Sequence, residues 1–198
     1  MRLRVPSLLI LALMVPVLAA CGGSDESGGP STVPNSGAPE QPLRLTGVAT
    51  TLDLDPQTIG VLDDNNVTLT PIAPARRSAE GVRFPITGGE VRPDTFSGRI
   101  RHAGGLSISD GRRRVLLRDF VIETRTGQIT ADTGAGRIPI LNLDFSSGKR
   151  ADVGPTIALT DVPVKLTAAA AAAIDEALSI SVLTASIPIA RATVRVAG

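Results

Sequence analysis

The sequence predicts a mainly β domain, an antiparallel β-sandwich or open barrel with one Ala-rich helix and one short helix. Beyond residue 42, short runs rich in Val, Ile and Leu alternate with turn residues at intervals of about ten positions, which is typical of antiparallel sheets. The alanine run 168–173 is the strongest helical signal in the chain. A length of 198 residues suggests one main domain, predicted over residues 43–198, with appendages before it.

Residues 1–20 are predicted to be a lipoprotein signal peptide. Arg2 and Arg4 precede an apolar run over residues 5–20, which is shorter than the ~20 residues that a membrane span needs. The run ends in Leu-Ala-Ala before Cys21, and this resembles a bacterial lipobox. The resemblance implies that Cys21 is lipidated, with palmitate among its acyl chains, and anchors an exported protein to the outer face of the cell membrane. An ordinary signal peptide followed by an incidental cysteine is the alternative.

A tether is predicted over residues 21–42. Thirteen of the twenty-one residues from Gly22 to Pro42 are Gly, Ser or Pro, so this segment cannot bury enough apolar surface to offset its ordering entropy. Its root-mean-square reach as a flexible coil is roughly 25 Å. It would hold the following domain just above a membrane surface.

The first elements of the domain can be read in order. Leu43–Leu54 has the spacing of a strand, and Asp55 followed by Pro56 is typical of a helix N-cap and first turn. The short helix then ends at residues 63–66, Asp-Asp-Asn-Asn, which favour a turn. The next strand is predicted over Val67–Ile72.

The remaining outer elements follow the same reasoning. Thr167 is a suitable N-cap for the Ala-rich helix, because its hydroxyl can accept from an amide of the first turn. In order, the predictions are strand Val82–Ile86, a turn at Gly88-Gly89, strand Arg137–Phe145, strand Ile157–Leu166, helix Ala168–Leu178, and strand segments Val182-Leu183, Ile187–Ile189 and Ala192–Val196.

The central stretch Ser97–Asp132 contains the clearest hairpin signals. Asp110-Gly111 and Thr126-Gly127 separate apolar runs, and tight β-turns need the positive φ values that Asp and Gly tolerate. The same stretch holds His102, the single histidine of the chain. By strand alternation His102 faces the same side as Ile100. Three roles stay open for it: a hydrogen-bonded or solvated histidine at the sheet margin, a contact to a bound ligand, or an iron ligand.

Composition argues against several functions. Outside residues 1–20 there are 18 basic and 19 acidic residues, a net charge of −1, which provides no general attraction to nucleic acid. The chain has no Trp or Tyr, so the stacking platforms of single-strand binders are missing. A usual zinc site cannot be built from one His and a single Cys that is assigned to lipid. The acidic residues between 53 and 66 do not have the spacing of an EF-hand calcium loop. No nucleophile elbow or triad pattern is present, so we expect no enzyme.

Four phrases in order resemble the Htaa (heme-transport-associated) domain family of exported and surface proteins. They are Gly81–Gly89 (GVRFPITGG), Gly98–Leu106 (GRIRHAGGL), the strand Val115–Glu123 with its following turn and Ile129–Ala131, and Leu166-Thr167 leading into the Ala-rich helix. The resemblance covers roughly residues 67–178. It implies a β-rich binding domain and, for characterised relatives, heme capture at the cell surface.

The resemblance implies heme as a possible cofactor, with His102, Phe84 and Phe120 as candidate ligand contacts. Heme iron is held by His, Cys, Met or Tyr, and heme-binding members of the family use a Tyr assisted by a His. This chain has no Tyr, its two methionines lie within residues 1–20, and Cys21 is assigned to lipid, so His102 alone could reach iron. No other metal is expected.

Two functional hypotheses follow. The first is a surface lipoprotein with an Htaa-like domain that binds heme or another apolar ligand, including a lipid. The second is a structural or interaction lipoprotein of the envelope without a small ligand. The basic hairpin tip Arg112–Arg114 is either solvated or in contact with anionic headgroups or envelope polymers.

Overall fold

The computed structural model describes residues 41–185 and 188–198, and in this part of the chain all strands belong to one antiparallel sheet. The predicted signal peptide, Cys21 and the tether up to residue 40 lie outside the described residues. The helices are α1 (Pro56–Asp64) and α2 (Ala168–Leu178). The strands are β1 (Leu43–Arg44), β2 (Gly47–Leu54), β3 (Thr68–Ile72), β4 (Arg76–Ser78), β5 (Gly81–Val91), β6 (Gly98–His102), β7 (Gly105–Ser109), β8 (Arg114–Glu123), β9 (Gln128–Asp132), β10 (Arg137–Leu143), β11 (Lys149–Val153), β12 (Thr156–Leu166) and β13 (Ala190–Ala197).

Eight of these strands close into a barrel, in the order β2-β13-β12-β10-β9-β8-β6-β5 and back to β2. Closure occurs because β6 pairs with β5 on one side and with β8 on the other. The predicted mainly antiparallel β fold with one Ala-rich and one short helix is therefore confirmed. Its ring is complete, which removes the open edges that a sandwich or open barrel would leave along these strands.

Strand β8 belongs to two pairings along its length. Its first half pairs with β7 and its second half with β6, so β3, β7 and the first half of β8 form a three-stranded extension beyond the barrel. The corner between β6 and β7 requires Gly104, whose φ is +85° and whose added Cβ would lie 2.6 Å from the Ile72 carbonyl oxygen. A glycine thus lets the chain leave the barrel and turn into the extension.

Both helices begin where the sequence predicts. The Asp55 carboxylate accepts from the amide of Gln57 at 2.9 Å to cap α1, and the Thr167 hydroxyl accepts from the amide of Ala170 at 3.0 Å to cap α2. In α2 the buried positions include Ile174, four residues before Leu178, and alanines that let the helix pack closely against β8 and β10. The two helix predictions are confirmed.

Two local predictions are wrong. Gly88-Gly89 is not a turn, because both residues lie inside β5 at a shift of register against β6, where a Cβ on Gly89 would meet the Arg99 carbonyl oxygen at 2.1 Å. The apolar pairs 182–183 and 188–189 are not strand, since the last strand begins at Ala190. Ile187 lies outside the described residues.

Other strands differ in extent from the predictions: Leu43–Leu54 is divided into β1 and β2, the strand predicted over Val82–Ile86 extends to Val91, and β4 and β11 were not predicted. Asp110-Gly111 joins β7 to β8, and Thr126-Gly127 joins β8 to β9, so both hairpins are confirmed. The strand predicted to reach Phe145 ends at Leu143, because Asp144 caps a short 3-10 helix over Phe145–Ser147. The barrel interior is filled by aliphatic side chains from every strand of the ring.

Candidate functional site

His102 lies at the end of β6 with its ring inside the barrel. Arg99 and Arg101 are exposed on the outer face of β6. His102 and Ile100 share the inner face, as strand alternation predicts. Only 5% of His102 is exposed. It is therefore a buried histidine and not one at a solvated sheet margin.

Both ring nitrogens of His102 are hydrogen-bonded. Nδ1 lies 3.1 Å from the carbonyl oxygen of Phe120, and Nε2 lies 2.8 Å from the hydroxyl of Thr50. A carbonyl oxygen can only accept, so Nδ1 carries the proton and Nε2 of the neutral ring accepts from the Thr50 hydroxyl. One side chain thereby connects β2, β6 and β8.

Burial lowers the pKa of His102 from 6.5 to about 4, and the hydrogen bond to the Phe120 carbonyl opposes this shift only in part. The imidazole is consequently neutral at physiological pH. A neutral ring with an acceptor nitrogen is the form that can bind a metal ion. Here that nitrogen already accepts from the buried Thr50, so the hydroxyl would have to turn away before Nε2 could ligate iron.

Phe84 and Phe120 meet beside this histidine. Their ring centroids are 5.2 Å apart at an interplanar angle of 79°, an edge-to-face pair. Phe84 stands directly opposite Thr50 in the β2–β5 register. Asp119 has a φ of +49°, and the register against β9 shifts around it, so Phe120 returns to the inner face after two exposed residues.

A cavity of about 100 Å³ adjoins these residues inside the barrel. His102, Phe84 and Phe120 all line it, so the structure brings together the three candidate ligand contacts. The polar atoms of Thr50 and His102 bond to each other, which leaves the cavity wall apolar. Binding at these residues stays a prediction.

The end of the cavity is covered by the helices and by the segment between α2 and β13. Leu62 of α1 and Ile174 of α2 line the cavity, together with Ile180, Leu183 and Ile189. The amide of Leu183 donates to the Asp175 carboxylate at 3.2 Å, which fixes the first part of this cover on α2. We name Ile180, Leu183 and Ile189 the cap.

Sequence reasoning missed Thr50 and the cap. Thr50 stands two residues before Leu52 and four before Leu54, so strand alternation placed it on the same face as two cavity residues. That pattern was the available signal. Nothing in the apolar segment after α2 distinguished a cap from a strand.

Two polar side chains beside α1, Asp55 and Asn65, have structural roles. Asp55 caps the helix, and the side chain of Asn65 donates to the Val61 carbonyl at 2.8 Å. Among the described residues, no group of three or more His, Cys, Asp or Glu side chains is arranged to hold a metal ion. Neither α1 nor α2 is long and apolar enough to span a membrane.

Comparison with known proteins identifies the fold. No protein-family model matches the sequence, and no curated protein is significantly similar to it. Among solved structures, the crystal structure of the C-terminal domain of HtaA from Corynebacterium glutamicum matches with a TM-score of 0.58 and 14% sequence identity. The match covers 78% of this chain and 98% of that chain. The chain therefore has an HtaA-like fold.

Proposed function

We propose that the protein is a lipoprotein of the cell envelope, anchored through Cys21, whose HtaA-like barrel binds an apolar ligand beside His102. The observation that carries this proposal is an apolar cavity next to one hydrogen-bonded polar pair, inside a fold of the HtaA type. The Leu-Ala-Ala-Cys sequence and the Gly/Ser/Pro-rich segment after it support the anchor. The proposed role is binding, since the polar atoms of His102 and Thr50 are engaged with each other and the cavity wall beside them is apolar.

Heme is the ligand that the family resemblance implies, but the geometry favours a smaller molecule. Pockets for drug-sized ligands measure about 300–1,000 Å³, whereas this cavity measures about 100 Å³. An apolar cavity of roughly 150 Å³ accommodates a benzene-sized guest. Heme would enter only if the cap moved and Thr50 released Nε2 of His102. A small apolar molecule, or one end of an acyl chain, needs neither change.

A heme titration tests the first alternative. If heme binds through His102, the full chain gives a saturable, shifted Soret band that is lost in His102→Ala. Thr50→Val is the matched control, because it frees Nε2 while keeping the ring, and it should bind heme at least as tightly as the wild type. We expect only a non-saturable background in all three proteins, and a saturable band dependent on His102 would contradict the small-ligand proposal.

A thermal shift assay with small apolar probes tests the second alternative. Benzene and indole should raise the melting temperature of the full chain in proportion to occupancy, since a ligand that binds only the folded state stabilises it. The variant Ala192→Leu places a larger side chain against the cavity and should abolish the shift. An equal shift in both proteins would show that the probes bind elsewhere.

A structural role without a small ligand is the second candidate function. The observation that favours it is strand β11, which pairs with β12 alone and has all five residues exposed. Val153 at its end is 71% exposed. In this case the barrel is a rigid scaffold whose edge strands pair with a protein partner. Neither an apolar probe nor a native ligand should then be found in its cavity.

A further inference from the structure

A second surface, on the outside of the three-stranded extension, carries hydroxyl and guanidinium groups that take no part in the cavity. Its side chains form three rows across β3, β7 and β8, fixed by the strand registers. The hydroxyl groups of Thr68, Thr70, Ser107 and Ser109 fill the first two rows, and Arg114 and Arg118 stand in the first and third. We name this surface the hydroxyl groove.

The groove is concave and measures about 470 Å³. Leu116 is the half-buried third member of the middle row, and Ile72 and Arg118 stand on either side of Gly105 in the third row. The inner sides of the same strands line the apolar cavity, so the extension is rigidly packed from below. The groove lies within the size range of ligand sites.

The guanidinium groups of the groove lie outside the ion pairs of the described residues, although Asp132 stands opposite Arg118 in the β8–β9 register. Within the described residues, the side chains of Arg114 and Arg118 make no ion pair, and those of Thr68 and Thr70 make no hydrogen bond. The Asp110 carboxylate accepts from the amide of Arg112 at 2.7 Å. Asp132, opposite Arg118 in the β8–β9 register, accepts from the amide of Gly134 at 2.7 Å.

A charged row at the other end of β8 shows the contrast. There Arg44, Glu90, Arg99 and Glu123 stand side by side across β1, β5, β6 and β8, so opposite charges alternate. Arg99 and Glu123 form an ion pair. In that row an ion pair joins two strands, whereas the groove presents Arg114, Arg118 and the hydroxyls of Thr68 and Thr70. The Ser109 hydroxyl is engaged within the protein, since it donates to the Arg113 carbonyl at 2.8 Å.

We infer that the hydroxyl groove binds an acidic glycan. Arg114 and Arg118 are four strand residues apart, which separates their backbones by about 13 Å. A sugar chain that carries carboxylate, sulfate or phosphate groups at intervals can meet both guanidinium groups while its hydroxyls bond to Thr70 and Ser107. A flat membrane surface would meet the rim of a concave groove, whereas a single sugar chain can follow its floor. This inference depends on the groove alone and is independent of any cavity ligand.

The test measures fluorescence anisotropy of labelled oligosaccharides with the purified full chain. The probes are oligogalacturonate, a sulfated heparin oligosaccharide and a neutral glucan of equal length. We expect at least one acidic probe to bind, with an affinity that falls as salt rises, and the neutral probe not to bind. The double variant Arg114→Ala/Arg118→Ala should bind about tenfold more weakly, since each exposed charge-assisted contact contributes about threefold.

Two further double variants complete the design. Arg125→Ala/Arg191→Ala removes the same charge from exposed positions elsewhere and should leave the affinity unchanged. Thr70→Val/Ser107→Ala should weaken binding without changing its salt dependence, because it removes hydroxyls and no charge. Far-UV circular dichroism verifies folding of each variant.

Three outcomes would overturn the inference. The first is the absence of binding to both acidic probes. The second is an equal loss of affinity in both arginine double variants, which would show that binding depends on the net charge of the protein and not on the groove. The third is binding to phosphatidylglycerol vesicles, lost in Arg114→Ala/Arg118→Ala, without binding to the glycans, which would assign the groove to a membrane surface.

Discussion

Acidification should destabilise this protein through His102 in a pH range where carboxylates contribute little. The buried imidazole has a pKa of about 4, compared with 6.5 for an unperturbed histidine. Below pH ~6.5 the histidine is protonated in the unfolded chain, whereas in the folded chain it is protonated only below about pH 4. The free energy of unfolding therefore falls as the pH falls through this window. The full difference corresponds to about 3 kcal/mol, of which about 2 kcal/mol is lost between pH ~7.5 and ~5.

The assay is urea unfolding at a series of pH values, followed by far-UV circular dichroism because the chain lacks Trp and Tyr. His102→Gln keeps a polar side chain but cannot titrate. The variant is expected to be less stable than wild type near neutral pH, and its loss of stability between pH ~7.5 and ~5 should be smaller by about 2 kcal/mol.

Asp94→Asn provides the control. Hydrogen bonding from Arg92 lowers the pKa of this exposed carboxyl below its ordinary value of 3.8, so its contribution disappears only at more acidic pH. This variant should reproduce the wild-type pH dependence above pH ~5. An identical pH dependence in wild type and His102→Gln would refute the assignment of a buried, neutral histidine.

Three other predictions concern the fold and the anchor. Gly104→Ala should destabilise the domain by about 1–3 kcal/mol in urea unfolding, because the φ of +85° and the approach of the Ile72 carbonyl leave no room for a Cβ; an unchanged midpoint would contradict this. Thr167→Ala removes the cap of α2 and should cost about 1 kcal/mol, whereas Thr167→Ser should restore most of it. Cys21→Ser should move the protein from the membrane fraction to the soluble fraction and remove the acyl mass from its N-terminal peptide; retention in the membrane fraction would argue against the lipid anchor.

Features encoded by neighbouring residues could be predicted from the sequence. Asp55-Pro56 and Thr167 mark helix starts because an N-cap is formed by side chains and amides two or three positions apart. Asp110-Gly111 predicts a hairpin because the turn, too, is determined by adjacent residues. Strand alternation was also sufficient to place His102 on the same side as Ile100.

Features that depend on distant pairing could not be predicted in this way. Thr50 and His102 are 52 positions apart, and their contact exists only because the ring of strands closes. Periodicity carries no information about which strands become neighbours. The bulge at Asp119 lies where β8 changes its partner from β7 to β6, so it also depends on distant strands.

The apolar residues after α2 illustrate an ambiguity of composition. Leu183 and Ile189 bury their side chains against the barrel end, as a strand would bury one of its faces. A short apolar segment can pack as strand or as irregular cap with similar burial, so composition alone favoured strand. The distinction matters for function, because the cap lines the cavity.

The most direct test of ligand binding is mass spectrometry of an organic extract from the protein purified from its own host. Wild type and Ala192→Leu are extracted in parallel, with folding of both verified by circular dichroism. Our account predicts one apolar compound in stoichiometric amount with the wild type and its loss in the variant, whose added atoms occupy the cavity. An empty extract from both proteins, or the same compound in equal amount from both, would contradict it.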